Sequence, residues 1–343
     1  MAPPAAAFKR VMRILKFIVA LFSIASATAG AGYYWLSTQP LQMSAERIEF
    51  RVPSGVGLRR VAQVVEQSGI GIPAWQFTLL GRALNRSEKI KAGSYEVAQG
   101  ITALQLLDIL TRGEVSRGEI TLVEGRTFRQ FRAQLDANPA LTHDSTALKE
   151  AEILTRLGIA GNRLEGWFFP DTYLFDKGSS DLDVLRRAHS AMAKRLDEAW
   201  QARDPQSRLK SPYEMLILAS IVEKETGSAD DRGPIASVFI NRLRRNMPLQ
   251  TDPTVIYGMG ERFDGNLRKA DLQTDTAWNT YTRPGLPPTP IAMPGAGALL
   301  AVSRPPATEF VYFVARGDGS SEFSTTLEAH NRAVARFQKG GKS

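Results

Sequence analysis

The sequence predicts an α+β protein in three parts: a single N-terminal transmembrane helix, a small α+β subdomain, and a larger domain of mixed α/β character. Three observations predict this. The stretch from Phe17 to Ala45 holds no charged residue. From Arg47 the pattern becomes short and local, with a period of two in Arg47-Ile-Glu-Phe-Arg-Val52 and a helical spacing directly after it. Beyond Gly118, helical stretches alternate with compact apolar runs such as Glu119-Ile-Thr-Leu-Val123 and Glu309-Phe-Val-Tyr-Phe-Val-Ala315. The expected parts are residues 1–13 before the span, 14–36 as the span, 37–46 as a linker, 47–117 as the small subdomain and 118–343 as the large domain.

The span follows from length and flanks. Ile14 to Leu36 is about the ~20 residues that a helix needs to cross a bilayer. Lys9, Arg10, Arg13 and Lys16 precede it, which keeps the N-terminus cytoplasmic and puts the rest outside. Tyr33, Tyr34 and Trp35 close it as an aromatic belt does. The alternative is a cleaved signal peptide, with Ala25-Ser-Ala27 as the small-residue site, but the apolar part is long for that.

Composition removes several classes of chemistry. The 343 residues include 0 Cys, so there is no thiol nucleophile, disulfide or Cys metal site. The 3 His (His143, His189 and His330) show no HExxH or other ligand spacing, so no metal or cofactor is expected. The net charge is +8, and half of it comes from the four basic residues at the N-terminus, which is no nucleic-acid footprint. Arg242, Arg244 and Arg245 read as the solvated face of a helix.

After the linker, Arg47–Val52 is a strand and Pro53-Ser-Gly-Val-Gly57 a turn. Leu58, Val61, Val64 and Val65 mark a helix ended at Gly69, and Trp75, Leu79, Leu80 and Leu84 mark another. Lys91–Val97 is strand-like, and Thr102 caps a helix carrying Leu104, Leu106, Leu107 and Leu110. In the large domain, Glu119–Val123 leads to a helix with Phe128, Phe131 and Leu135. Asn138 to Asn162 is helical in part. Leu182 to Trp200 is a helix with a Ser180/Asp183 capping box. Helices follow at Ser211–Gly227 and Ile235–Leu243. Met247–Gly265 is loop-rich, and Gly285–Pro290 and Met293–Gly295 are irregular. Glu309–Ala315 is a buried strand turned by Arg316-Gly-Asp-Gly319, and Leu327–Gln338 is the last helix.

The Ser211–Gly227 helix carries the chemistry. Ser211 is its N-cap, Pro212 suits the first helical position, Glu214 completes a capping box and Gly227 stops it. Leu218, Ile221, Val222 and Glu225 share one face by their i, i+3, i+4, i+7 spacing. A carboxyl on an apolar stripe is held protonated more readily than in water, which is what a general acid needs. The bland reading is that Glu225, in the last turn, points to solvent.

Nucleophilic triads and nucleotide loops are absent as motifs: there is no GxSxG, Walker loop or GxGxxG. Carboxylate acid/base chemistry remains. Leu249–Gly258 and Trp278–Thr282 mix amide, hydroxyl, carboxylate and aromatic side chains, the mixture that binds sugars, although loop capping by Asn, Asp and Thr gives the same composition.

The chain closely resembles the endolytic murein transglycosylases of the MltG, or YceG-like, family. The matching motifs are Glu165-Gly-Trp-Phe-Phe-Pro-Asp-Thr-Tyr173, Ala219-Ser-Ile-Val-Glu-Lys-Glu-Thr226, Ala236-Ser-Val-Phe-Ile-Asn-Arg-Leu243, Leu249-Gln-Thr-Asp-Pro-Thr-Val-Ile-Tyr-Gly-Met-Gly260, Asn279-Thr-Tyr281, Gly285-Leu-Pro-Pro288 and His330-Asn331. Residues 138–162 match poorly. The resemblance implies an inner-membrane, single-pass protein facing the periplasm, with a LysM-like subdomain over 47–117. It implies endolytic cleavage of peptidoglycan glycan strands between N-acetylmuramic acid and N-acetylglucosamine, leaving a 1,6-anhydro end in a lyase step that terminates strand elongation. Peptidoglycan synthases are the implied partners, and the second Glu of the Glu-Lys-Glu pair, Glu225, is the implied catalytic residue. Glu223, Asn241, Gln250, Asp252, Asn279 and Tyr281 are candidates for sugar binding or for supporting Glu225. Glu165, Trp167 and Asp171 are candidates for a structural or secondary role. Glu223 and Glu225 stand two apart, so they point roughly 200° away from each other on a helix. Two other functions remain open: a lysozyme-type hydrolase with Asp252 or Asp171 as second carboxylate, and a non-catalytic wall-binding scaffold.

Overall fold

The apolar N-terminal stretch forms one continuous helix, α1 (Ala5–Thr38). Its segment Met12–Thr38 is long and apolar enough to cross a membrane, a test that a signal sequence near the N-terminus also passes. The structure, a computed structural model, describes residues 5–339. The first four residues of the expected 1–13 segment lie outside the described residues, as do the side chains of Lys9 and Arg10.

The rest of the chain divides into two compact units, one running to Gly118 with Asp176–Gly178 added, the other made of Glu119–Phe175 and the residues from Ser179 onward. In the first, β1 (Gln42–Met43) pairs antiparallel with β3 (Ile70–Gly71), and β2 (Arg47–Val52) pairs antiparallel with β4 (Gly93–Ala98). The alternation of β2 turns Ile48, Phe50 and Val52 inward, as a half-buried strand requires. Between β2 and β4 run α2 (Leu58–Gln67) and α3 (Ala74–Ala83); α4 (Ala103–Arg112) follows. Thr102 and Gln105 form a complete capping box on α4, and Gly113 closes it at φ 74°, a left-handed position that suits glycine. The core gathers Phe77, Tyr95, Leu106, Leu107 and Leu110. α3 departs from the amphipathic expectation, because Trp75 and Leu79 are exposed while Phe77 and Leu80 are buried.

The second unit is more helical than a mixed α/β domain suggests, since its strands are short and pair only in twos. β5 (Arg117–Thr121) is followed by α5 (Phe128–Asp136), whose Thr127–Gln130 capping box is complete. β6 (Leu141–Thr142) and α6 (Glu150–Leu157) occupy the region without motif. β7 (Thr172–Asp176) shares a sheet with β5, and β8 (Ser179–Ser180) runs parallel to β6. Then come α7 (Asp181–Gln201), α8 (Pro212–Glu225) and α9 (Ala229–Arg244). The Ser180 hydroxyl accepts from Leu182 N–H, but Asp183 pairs with Arg186, so the expected capping box is only half formed.

Four segments differ from the sequence reading. α9 begins six residues before Ile235, and Pro234 is accommodated within its second turn. The segment expected as loop contains α10 (Asp252–Met259), for which Asp252 and Pro253 are ordinary first-turn residues, and α11 (Lys269–Gln273). α12 (Ala296–Ser303), from a run with little amphipathic signal, packs against α8 and α9. Only the second half of Glu309–Ala315 is strand: β9 (Tyr312–Ala315) pairs with β10 (Ser321–Ser324). The carbonyls of Thr308, Phe310 and Val311 are instead taken by side chains of α9. α13 (Leu327–Val334) ends in a π turn.

α8 lies at the centre of one core. The sequence predicts a single apolar stripe, yet every residue from Met215 to Val222 is buried, against α7, α9 and α12. A helix hydrophobic all round is an interior helix. Its far end is therefore held rigidly, and that end bears Glu223 and Glu225.

Candidate active site

Ser211 caps α8 through Glu214 N–H at 3.2 Å, while the Glu214 carboxylate accepts from Lys210 N–H. The helix stops at Glu225 because Thr226 is extended, at φ −149°; Gly227 is not the left-handed stop expected. The Thr226 hydroxyl accepts Ser228 N–H, and α9 starts at once. The break leaves Glu225 on the last turn, where the negative end of the helix dipole further disfavours a carboxylate.

Glu225 is partly exposed, and one carboxyl oxygen, Oε1, accepts the Thr251 hydroxyl. The other oxygen carries no hydrogen bond among the described residues. Burial pushes its pKa up to about 7; the Thr251 hydrogen bond and Arg242 pull it down, while Asp252 pushes it up. The carboxyl thus keeps its proton to higher pH than an ordinary glutamate does, and one oxygen is left without a hydrogen bond among the described residues.

Arg242, which the sequence grouped with Arg244 and Arg245 on a solvated face, lies near enough to Glu225 to favour its charged form. Those two are exposed, but Arg242 is buried, on the α9 stripe that begins at Ile235. Its guanidinium donates to Val311 O at 2.7 Å, Leu249 O at 2.8 Å and Pro248 O at 3.2 Å, and lies over the Tyr312 ring. His330 stacks on the same Tyr312 ring, with ring centroids 5.1 Å apart. Arg242 therefore fixes the segment that presents Thr251. Thr251 N–H donates to the Thr280 hydroxyl at 3.1 Å, and Gln250 N–H to Thr280 O at 3.2 Å.

The expected site residues fall into groups. Asp252 accepts the Tyr281 hydroxyl at 2.6 Å beside Glu225, and burial and Asp252 push the Tyr281 pKa up. Gln250 is exposed, in a left-handed conformation at φ 48° that is unusual for a residue with a side chain. Asn279 is fully buried: Nδ2 donates to Leu272 O at 3.0 Å and Thr274 O at 2.8 Å, and Oδ1 accepts Tyr281 N–H at 2.8 Å. It shapes the loop that positions Tyr281. Asn241 is also buried and donates to Thr308 O and Phe310 O, at 2.7 and 3.0 Å, so its amide is spent on the fold. Glu223 accepts Gly295 N–H at 2.9 Å, and burial, with Glu124 nearby, raises its pKa.

Glu165 is a second strongly perturbed carboxyl. It is 5% exposed, accepts Phe128 N–H at 2.9 Å and the Tyr257 hydroxyl at 3.1 Å, and burial raises its pKa to about 7. Both its oxygens are occupied, which fits a clasp on the first residue of α5. Trp167 stacks on Tyr213 at 5.6 Å, and Asp171 is exposed, with its carboxylate on Thr172 N–H. Asp136, His143 and Asp181 also converge, but the Asp181 carboxylate is taken up by the Ser145 hydroxyl at 2.6 Å and backbone N–H at 3.1 Å.

The profile of the YceG-like family matches residues 50–336. The chain belongs to the YceG-like family. It is 29% identical to an endolytic murein transglycosylase of Bacillus subtilis (strain 168), with 86% of each chain covered. It is 27% identical to an endolytic murein transglycosylase of Streptococcus pneumoniae serotype 2, over 94% of this chain and 64% of that longer one. A crystal structure of a YceG-like protein from Listeria monocytogenes is 28% identical and matches with a TM-score of 0.54, covering 84% of this chain and 98% of that one.

The sequence pattern marks no role for Thr251 or Thr280 and places Arg242 on a solvated face, whereas it is buried. Arg242 had a signal, its i+7 spacing from Ile235 on an apolar helix. Thr251 had only its place within the Leu249–Gly260 motif.

Proposed function

We propose that this protein is an endolytic peptidoglycan lytic transglycosylase with Glu225 as its acid and base. The observation that carries this reading is a largely buried carboxyl whose pKa burial pushes up to about 7, with one oxygen held by Thr251 and no hydrogen bond on the other among the described residues. The names of the relatives supply the substrate class. In the proposed step, protonated Glu225 gives its proton to the glycosidic oxygen as the C1–O bond of the muramic sugar breaks. The resulting carboxylate takes the proton of the same sugar's C6 hydroxyl, whose oxygen bonds to C1. The products are a 1,6-anhydro end and a free 4-hydroxyl on the departing sugar. One carboxyl serves both steps, so no second carboxylate nucleophile is needed. Holding the C6 hydroxyl over C1 is worth on the order of several kcal/mol by proximity. Asp252, Tyr281 and Gln250 form the polar rim that binds the sugars, and Asn279 positions Tyr281.

The cellular reading follows from the same assignment. α1 anchors the protein in the inner membrane with its N-terminus cytoplasmic, and the large unit works in the periplasm on strands that synthases extrude. The order β2, α2, α3, β4 supports a LysM-like role for residues 47–117. The test is digestion of purified peptidoglycan by the full chain in detergent, followed by mass spectrometry of the muropeptide ends. Anhydro ends are expected. Reducing ends would make it a hydrolase, and no cleavage by folded protein would leave a wall-binding scaffold.

A further inference from the structure

The face of α3 that the fold leaves uncovered continues the membrane helix. Trp75 and Leu79, one turn apart, are 67% and 61% exposed, while Phe77 and Leu80 of the same helix are buried. They line an apolar groove of about 600 Å³ whose opposite wall is the end of α1, including Gly32, Tyr33 and Leu36. Gly32 leaves that wall open, since a Cβ there would meet nothing within 4 Å. Arg59 and Arg82 flank Trp75 and Leu79, and neither side chain makes an ion pair or hydrogen bond among the described residues.

Helix length sets the depth of this groove. Met12–Thr38 is 27 residues, or about 40 Å of helix, against a hydrocarbon core of about 30 Å. Tyr33, Tyr34 and Trp35, read as its aromatic belt, put the last turns of α1 in the interfacial layer. Whatever packs across from Tyr33 and Leu36 stands at the same depth. We propose that α3 is an interfacial wedge: Trp75 and Leu79 enter the bilayer at the C-terminal end of α1, lipid acyl chains fill the groove, and Arg59 and Arg82 meet lipid phosphates. This rests on reading α1 as a span. A glycan partner is the weaker fit, because Leu79 has no flat face to stack on a sugar and the groove is continuous with the span. The wedge holds the first unit against the membrane surface.

The chain has no native cysteine, so single-cysteine labelling is clean. The full chain is placed in phosphatidylethanolamine/phosphatidylglycerol vesicles as Leu79→Cys, with Ile24→Cys in α1 and exposed Leu300→Cys in α12 as references. Each carries a nitroxide, and its accessibility to oxygen and to a water-soluble nickel complex is measured. The expected oxygen-to-nickel ratio at position 79 is several-fold above that at 300 and approaches that at 24. A lipid-like ratio at 24 with a water-like ratio at 79 overturns the wedge and leaves the span standing. Water-like ratios at both overturn the span and the wedge together. A water-like label at 79 that becomes immobilised only on adding glycan strands assigns the face to the wall polymer and also overturns the proposal.

Discussion

Glu225 and Glu165 are two carboxyls with nearly the same acidity in different surroundings. Burial carries each to about 7. Glu165 has both oxygens committed, to Phe128 N–H and the Tyr257 hydroxyl, and is 5% exposed. Glu225 is partly exposed, with one oxygen held by Thr251 and no hydrogen bond on the other among the described residues. The comparison teaches that a raised pKa does not by itself mark a catalytic acid. Access and an uncommitted oxygen make the difference, and on the proposed function they favour Glu225 for chemistry and Glu165 for the fold.

The largest expected effect breaks the chemical side of this comparison. Glu225→Gln should lower peptidoglycan cleavage by about 10²–10⁴-fold, the range for removing a general acid/base, with no loss in thermal midpoint. Next is the structural side. Glu165→Ala leaves Phe128 N–H and the Tyr257 hydroxyl without an acceptor, and should cost about 2–4 kcal/mol in denaturant unfolding, with activity per folded molecule retained.

A third effect is pH-dependent. Both folded-state pKa values lie above the ordinary 4.5, so the folded protein binds more protons than the unfolded chain between about 4.5 and 7. The contribution of these groups is complete below that window and is lost as pH rises through it, with a slope up to about 1.4 kcal/mol per pH unit for each group. Glu165→Gln should flatten the decline in unfolding midpoint across that window; an unchanged slope would deny Glu165 its raised pKa.

Smaller still is Thr251→Val. Without the hydroxyl, Glu225 should titrate higher, so the alkaline limb of the activity profile moves up in pH, while the lost anchor on its carboxyl lowers the plateau rate by up to about tenfold, within the ~1.5–3 kcal/mol of a charge-assisted hydrogen bond. The smallest effect is for exposed Arg244→Ala, which should stay within about 0.5 kcal/mol in unfolding, unlike its buried neighbour Arg242.

Periodicity and caps made most of the elements legible. The strand Arg47–Val52, the Thr102 helix and α8 all follow from local patterns that tertiary packing reinforces. α10 and α12 were not legible, because their residues are short of amphipathic contrast and are helical only through packing on α8 and α9. The motif carrying Glu225 pointed to this carboxyl at the end of α8, while the single apolar stripe expected for that helix is in fact burial on all sides from Met215 to Val222. The roles of the supporting residues did not follow from sequence. Asn241 and Asn279 look like sugar ligands by residue type, yet both spend their amides on backbone carbonyls. Arg242 and Thr251 are joined to Glu225 only by the fold, with separations in sequence that no local pattern spans.

The most direct test of the central claim sets the two carboxyls against each other. The full chain, Glu225→Gln and Glu165→Gln are compared at equal folded concentration on purified peptidoglycan, counting new anhydro ends at neutral pH. Anhydro ends are expected from wild type and Glu165→Gln, and almost none from Glu225→Gln. Persistent cleavage by Glu225→Gln, or its loss in a folded Glu165→Gln, would contradict the assignment.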